Sequence, residues 1–198
     1  MDILALDQQA LANANRIVAL VTDEQLNRPT PCSDWDLRTL LIHMAGNNNG
    51  WAEAAEGRPA DGDTWDGAGL GDDPVGAYRK AADRAAAAFA ANDVLARDFE
   101  VFGYGTVPGP TAIGMHFIDY LVHGWDVAKA IGADARLDPE ACTAVLRIGE
   151  RWPRDAASIW GGAGAPFGYR VPVAADAPPE ARMLGFLGRS PSWPAAGS

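Results

Sequence analysis

The stretch from Gly109 to Gly132, GPTAIGMHFIDYLVHGWDVAKAIG, decides how the chain is read. Pro110 fits the first turn of a helix, where a missing N–H costs nothing, and Gly132 reads as a stop. Between them Ile113, Phe117, Tyr120, Leu121, Val127 and Ala128 recur at helical spacing. The spacing predicts one helix of about twenty residues, roughly 30 Å long. On it His116, Asp119, His123 and Asp126 fall within about 80° of one another, a polar seam along an otherwise apolar helix.

Asp119 and His123 form the sharpest part of that seam. A carboxylate and an imidazole four residues apart project side by side and can share one ion, whose third ligand then comes from elsewhere. The third histidine of the chain is His43, inside LRTLLIHM. Residue chemistry alone leaves two readings open: a metal site, or hydrogen-bonded interior histidines with Asp119 and His123 as a surface pair. Asp126 is expected behind the pair, tuning it rather than holding the ion. His116 rises roughly 10 Å before His123, which makes ligation of the same ion awkward. It is expected on the pocket wall as a catalytic, proton-transferring residue, with a core histidine bonded to a neighbouring helix as the alternative.

Working outward, residues 4–22 carry Leu6, Ala10, Leu11, Ile17, Val18 and Val21 on one face, a first helix. In CSDWDLRTLLIHM, Asp36 is a good N-cap for a helix running from Arg38 to Met44, and Trp35 and Leu40 have the spacing of a hydrophobic staple. The run Asn47-Asn48-Asn49-Gly50 predicts a weakening of that helix's core face. Residues 57–72 read as a long loop over a site, and Asp73-Pro74 opens an Ala-rich helix to about residue 91. Residues 98–109 predict either a short extended pair or an irregular loop, with Phe102 and Tyr104 as pocket walls or core fillers. Asp138-Pro139 opens another helix; the Gly- and Pro-rich residues 161–180 do not continue as helix; Met183, Leu184, Phe186 and Leu187 mark a short, docked C-terminal one. The sum is an all-α chain, a four-helix bundle in a single domain 1–198, with a core of about 1–152 and an extension of about 153–198.

Composition narrows the function classes. Lys and Arg number 16 against 26 Asp and Glu, a formal charge of −10. An anionic chain without a basic run is a poor binder of nucleic acid, and anionic lipid repels it. Two cysteines, Cys32 and Cys142, make a disulfide framework an unlikely expectation, and both read as inert thiols. MDILALDQQ lacks the basic-then-apolar order of a signal peptide, and no long uncharged apolar run follows, so the expected location is the cytoplasm.

Three blocks together, CSDWDLRTLLIHM, DYLVHGWDVAKAIG and APPEARMLGFLGRSP, resemble the DinB-like superfamily. Within it the chain is similar to the metal-binding proteins related to the N-terminal domain of mycothiol-dependent maleylpyruvate isomerase. The resemblance implies a DinB-like four-helix bundle and a divalent ion held by His43, Asp119 and His123, zinc first, with nickel or iron compatible. The isomerase carries a glutamate at the place of Asp119. Three protein ligands leave coordination positions open, which implies a reactive site. An ion of that kind can stabilise the thiolate of a low-molecular-weight thiol, mycothiol by resemblance, for an isomerase or transferase acting on a small electrophile. The competing expectation is a non-catalytic protein that binds or sequesters a small ligand through its metal. A monomer and a homodimer fit the sequence equally.

Overall fold

Five aspartates set where helices begin. Asp2, Asp36, Asp61, Asp73 and Asp138 each accept a hydrogen bond from the backbone N–H three residues on, at 2.8–3.1 Å. Such caps satisfy donors that the helix itself cannot, and each stabilises by about 1 kcal/mol. In the computed structural model, which describes residues 1–33, 35–58, 60–152, 159–161 and 167–194, they open α1 (Ile3–Val18), α2 (Leu37–Ala55), α3 (Gly62–Trp65), α4 (Pro74–Phe89) and α6 (Pro139–Gly149). α5 (Gly109–Ile131) starts with Pro110 in its first turn and stops at Gly132, whose φ of 76° only glycine adopts freely.

α1 packs along α5 and α2 along α4, and contacts of α2 with α5 and α1 with α4 close the four into a bundle. Its core is formed by Leu11, Ile17, Leu40, Met44, Phe117, Leu121 and Trp125, all buried. At one end a hairpin of β1 (Asp98–Val101) and β2 (Gly105–Pro108) pairs antiparallel, Val101 opposite Gly105, and buries Phe99 and Val101 against Trp51, Phe89 and Ile113. The extended alternative for this segment is therefore the one observed. α7 (Pro179–Phe186) packs on α6, with Met183, Leu184 and Leu187 buried. The described residues thus form a predominantly helical four-helix bundle with a small hairpin and a helical C-terminal addition.

Two local expectations are corrected. α1 ends at Val18, where the chain turns into a 3₁₀ segment at Asp23–Gln25 capped by Thr22 and Gln25. More tellingly, α2 does not weaken at the asparagine run but continues unbroken to Ala55. The reason is long-range: α3 and its flanks dock on this face of α2, and the glycines make the room. A Cβ on Gly46 would meet the Gly67 backbone N at 2.4 Å, and one on Gly50 would meet the Trp65 ring at 2.4 Å. Residues read as a pure loop therefore contain a helical turn whose tryptophan is clamped in place. Of the Gly- and Pro-rich region, 167–178 is without helix and 162–166 lie outside the described residues, as do 153–158 and 195–198 of the expected extension. Among the described residues, no helix is long and apolar enough to cross a membrane.

Candidate metal centre

α5 turns Asp119 and His123 to one side, a single turn apart, and α2 brings His43 to meet them. One ligand atom from each of the three lies within 4.8 Å of the others. His123 Nε2 is 3.4 Å from Asp119 Oδ1, and the His43 ring meets the His123 ring edge-on with centroids 5.2 Å apart. Trp35 lies against both imidazoles, its ring 4.3 Å from that of His43 and 5.9 Å from that of His123. Asn47, one turn along α2, donates to the His43 carbonyl at 3.2 Å and sets its amide 3.2 Å from the ring's Nδ1.

A second layer fixes His123. Its Nδ1 donates to Asp126 Oδ2 at 3.0 Å, which leaves Nε2 pointing at the cluster. Asp126, fully buried, is in turn gripped by Arg189: Nη2 donates to Oδ2 at 2.9 Å and Nε to Oδ1 at 3.2 Å, while Nη1 donates to the Leu187 carbonyl at 3.1 Å. Gly188, at φ 77° and with a hypothetical Cβ 2.7 Å from the Gly168 backbone, makes the turn that precedes Arg189. This carboxylate behind an imidazole is the arrangement that orients metal-binding histidines.

The electrostatics follow from burial set against near neighbours. Burial pushes the His43 imidazole down to about 4, keeping it neutral and able to donate a lone pair. For His123 burial pulls the same way but is outweighed by Asp119 and Asp126, which raise it to about 9. Burial likewise opposes ionisation of Asp119, yet His123, His43 and His116 together hold its carboxyl down at about 2. Without an ion, the proton shared between an imidazolium and a carboxylate occupies the electrostatic role of a cation.

One group in this cluster is left over. Asp119 Oδ2 is buried with no hydrogen-bond partner, an expensive state for a carboxylate oxygen. Asp119 also forms part of the wall of a cavity of about 280 Å³ that reaches Asn47, Trp51, Trp65 and Trp152. Phe102 and Tyr104, at the hairpin tip and more than half exposed, line the same cavity and are not core fillers. Two imidazoles and a carboxylate with a free oxygen are the donor set that a divalent ion takes.

His116 occupies a different place. It is fully buried in the bundle and absent from the cavity wall on which the seam had placed it. Its Nδ1 is 2.5 Å from Asp7 Oδ1 on α1, its Nε2 is 3.2 Å from Asn48 Oδ1 on α2, and its ring stacks on Tyr120 at 4.2 Å. Both ring nitrogens are engaged. Cys142 is buried and its thiol is pushed up to about 12, chiefly by that burial, so it is inert at neutral pH.

Sequence reasoning located the three clustered residues and the supporting place of Asp126 but missed Arg189. The available signal was an arginine directly after Leu187-Gly188 at the end of an apolar helix.

The family described as the mycothiol maleylpyruvate isomerase N-terminal domain matches residues 8–128. Two uncharacterized proteins from strains of Mycobacterium tuberculosis are each 35% identical to the chain, across 96% of it and 99% of their own length. Among solved structures, the mycothiol-dependent maleylpyruvate isomerase is similar at a TM-score of 0.57 and 16% identity, and a point mutant of it at 0.60 and 15%. Each comparison covers 73% of this chain and 66% of the isomerase, so the chain spans just under two thirds of that enzyme, and the likeness speaks for the fold.

Proposed function

The chain belongs to the mycothiol maleylpyruvate isomerase N-terminal domain family, and from that premise we propose that it is a metal-dependent enzyme using an external low-molecular-weight thiol. In this reading His43, Asp119 and His123 hold one divalent ion, zinc first, with nickel or iron accepted by the same donors. When bound, such an ion supplies Lewis acidity that lowers the pKa of a coordinated thiol or water. The thiol is of the mycothiol type, and the reaction is isomerisation or transfer on a small electrophile.

The chain's own residues then have distinct tasks. Asp126 and Arg189 keep His123 turned with Nε2 forward, and Asn47 steadies His43. Trp51, Trp65 and Trp152 give the cavity beside Asp119 a largely aromatic wall, an environment of lower polarity than bulk water. His116 takes no part, since Asp7 and Asn48 already engage both its nitrogens.

The observation that carries this reading is the unpartnered Asp119 oxygen, buried beside two imidazoles in a cavity wall. Elemental analysis of the purified chain is expected to give close to one divalent ion per molecule. Titrating mycothiol into the cobalt-substituted chain is then expected to produce a thiolate-to-cobalt absorption band. No ion at all would sink the metal centre. A loaded ion that never gives the band would leave a metal-containing ligand-binding protein in place of a thiol-dependent enzyme.

A further inference from the structure

Several arginines of this anionic chain are neutralised at short range: Arg58, Arg84, Arg97, Arg136 and Arg189 each meet a carboxylate. Arg170 and Arg182 do not. Among the described residues they line one cleft of about 330 Å³ together, away from the metal cluster, and its wall contains no Asp or Glu. Asp176 and Glu180 flank Arg182 in sequence, but neither lines the cleft.

The fold gathers the pair around Phe186. Arg182, Gly185 and Phe186 share a face of α7, since residues three and four apart are neighbours on a helix. Residues 170–175 cross that face closely: the Val171 N–H donates to the Gly185 carbonyl at 2.9 Å, and a Cβ on Gly185 would stand 2.5 Å from Val173 Cγ2. The Arg170 guanidinium then lies 4.6 Å from the Phe186 ring and 4.3 Å from the Trp160 ring. Stacking holds the planar group by its faces and leaves the N–H groups at its edge for another partner. Nε is enclosed and makes no hydrogen bond; Nη1 and Nη2 make none either and, unlike Nε, reach the surface. Leu146, Val171, Pro172 and Val173 add apolar wall. Two unpaired guanidinium groups beside an apolar floor select an anion that also has an apolar part. We infer that this cleft binds a small organic oxyanion, a carboxylate or phosphate on an apolar body, through the Nη groups of Arg170 and the guanidinium of Arg182. The volume exceeds that of a bare ion and stands at the lower end for small-molecule sites.

The test uses phenyl phosphate, benzoate and the neutral benzyl alcohol, each titrated calorimetrically into the full metal-free chain, so that no bound ion competes for the anion. At least one of the two anions is expected to bind about tenfold or more tightly than benzyl alcohol. Phenyl phosphate alone would identify a phosphate ester, benzoate alone a carboxylate, and both the shared oxyanion chemistry. R182Q, at an exposed position, and R170Q are each expected to weaken the anion by about tenfold, whereas R182K retains most of the affinity. On the unaltered chain, phenylglyoxal modification read by mass spectrometry gives a second measure. An anion at twice its Kd is expected to slow modification of Arg170 and Arg182 by about threefold and to leave Arg79, exposed on α4, unprotected.

No binding of either anion up to about 10 mM would overturn the inference, as would benzyl alcohol binding equally well. Anion affinity that R182Q and R170Q leave unchanged would overturn it too, and so would protection of Arg79 to the same degree as Arg170 and Arg182. The site stands apart from the proposed metal centre: R182Q is expected to take up zinc as fully as the unaltered chain, and loss of zinc in that variant would overturn the separation.

Discussion

His116 and His123 rise from the same helix, seven residues apart, and each sets its Nδ1 against an oxygen of a buried carboxylate that accepts its hydrogen bond. Around His116 the account closes: Asp7 on one nitrogen, Asn48 on the other, Tyr120 across the ring face. Around His123 it does not. Its Nδ1 is held by Asp126, its Nε2 faces Asp119 at 3.4 Å, and the other oxygen of Asp119 has no partner. A histidine whose valences are filled by its own fold ties helices together. One with valence left beside a cavity is available for an outside ion, and the contrast separates the two roles without reference to sequence spacing.

The largest expected effect breaks the open side. In H43A and H123A the divalent ion should fall from about one per molecule to none by elemental analysis, because two remaining protein ligands hold zinc poorly. Undiminished metal in both variants would erase the contrast. Next comes the closed side. H116A strands Asp7 in the core and should lower stability by about 3–5 kcal/mol in chemical denaturation while the ion is retained. Loss of the ion with an unchanged midpoint would make the two histidines alike.

A pH series sharpens the comparison further. His43, lowered to about 4, is neutral in the fold; as pH drops from 6.5 the unfolded chain takes up a proton that the fold refuses, so stability falls through about pH 4. His123, raised to about 9, contributes stability that is complete below 6.5 and is lost as pH rises through about 9. The metal-free chain is therefore expected to be most stable near pH 6.5, and H123A should lose the decline on the alkaline side. Urea midpoints across pH 4–10 check this; an alkaline decline that persists in H123A would assign it to another group. The smallest effect lies one layer out: D126N should keep the metal stoichiometry while weakening affinity about 10–100-fold, with R189K changing it in the same direction. Competition with a zinc-chelating dye reads both.

What was legible in the sequence is what local chemistry encodes. Asp36, Asp73-Pro74, Asp138-Pro139 and Gly132 announce helix ends within a residue or two, since a cap acts on its own first turn. Asp119 and His123 share a face because four residues nearly complete a helical turn. What was not legible depends on distant partners. Nothing near His116 says that Asp7, 109 positions earlier, will meet it and remove it from the cavity wall. The asparagine run looks like a break until Trp65 is seated on Gly50, and Arg189 looks like a surface charge until Asp126 is found 63 residues before it.

That last separation acquires a meaning in time. A ribosome adding about 5–20 residues per second delivers Arg189 about 3–13 s after Asp126. All four bundle helices, and every residue of the metal cluster, are already synthesised when that interval begins or soon after. The newborn bundle can thus bring the three clustered side chains together first and only later receive the guanidinium that holds Asp126 behind His123. On the growing chain, then, the carboxylate behind His123 precedes by that interval the arginine that fixes it.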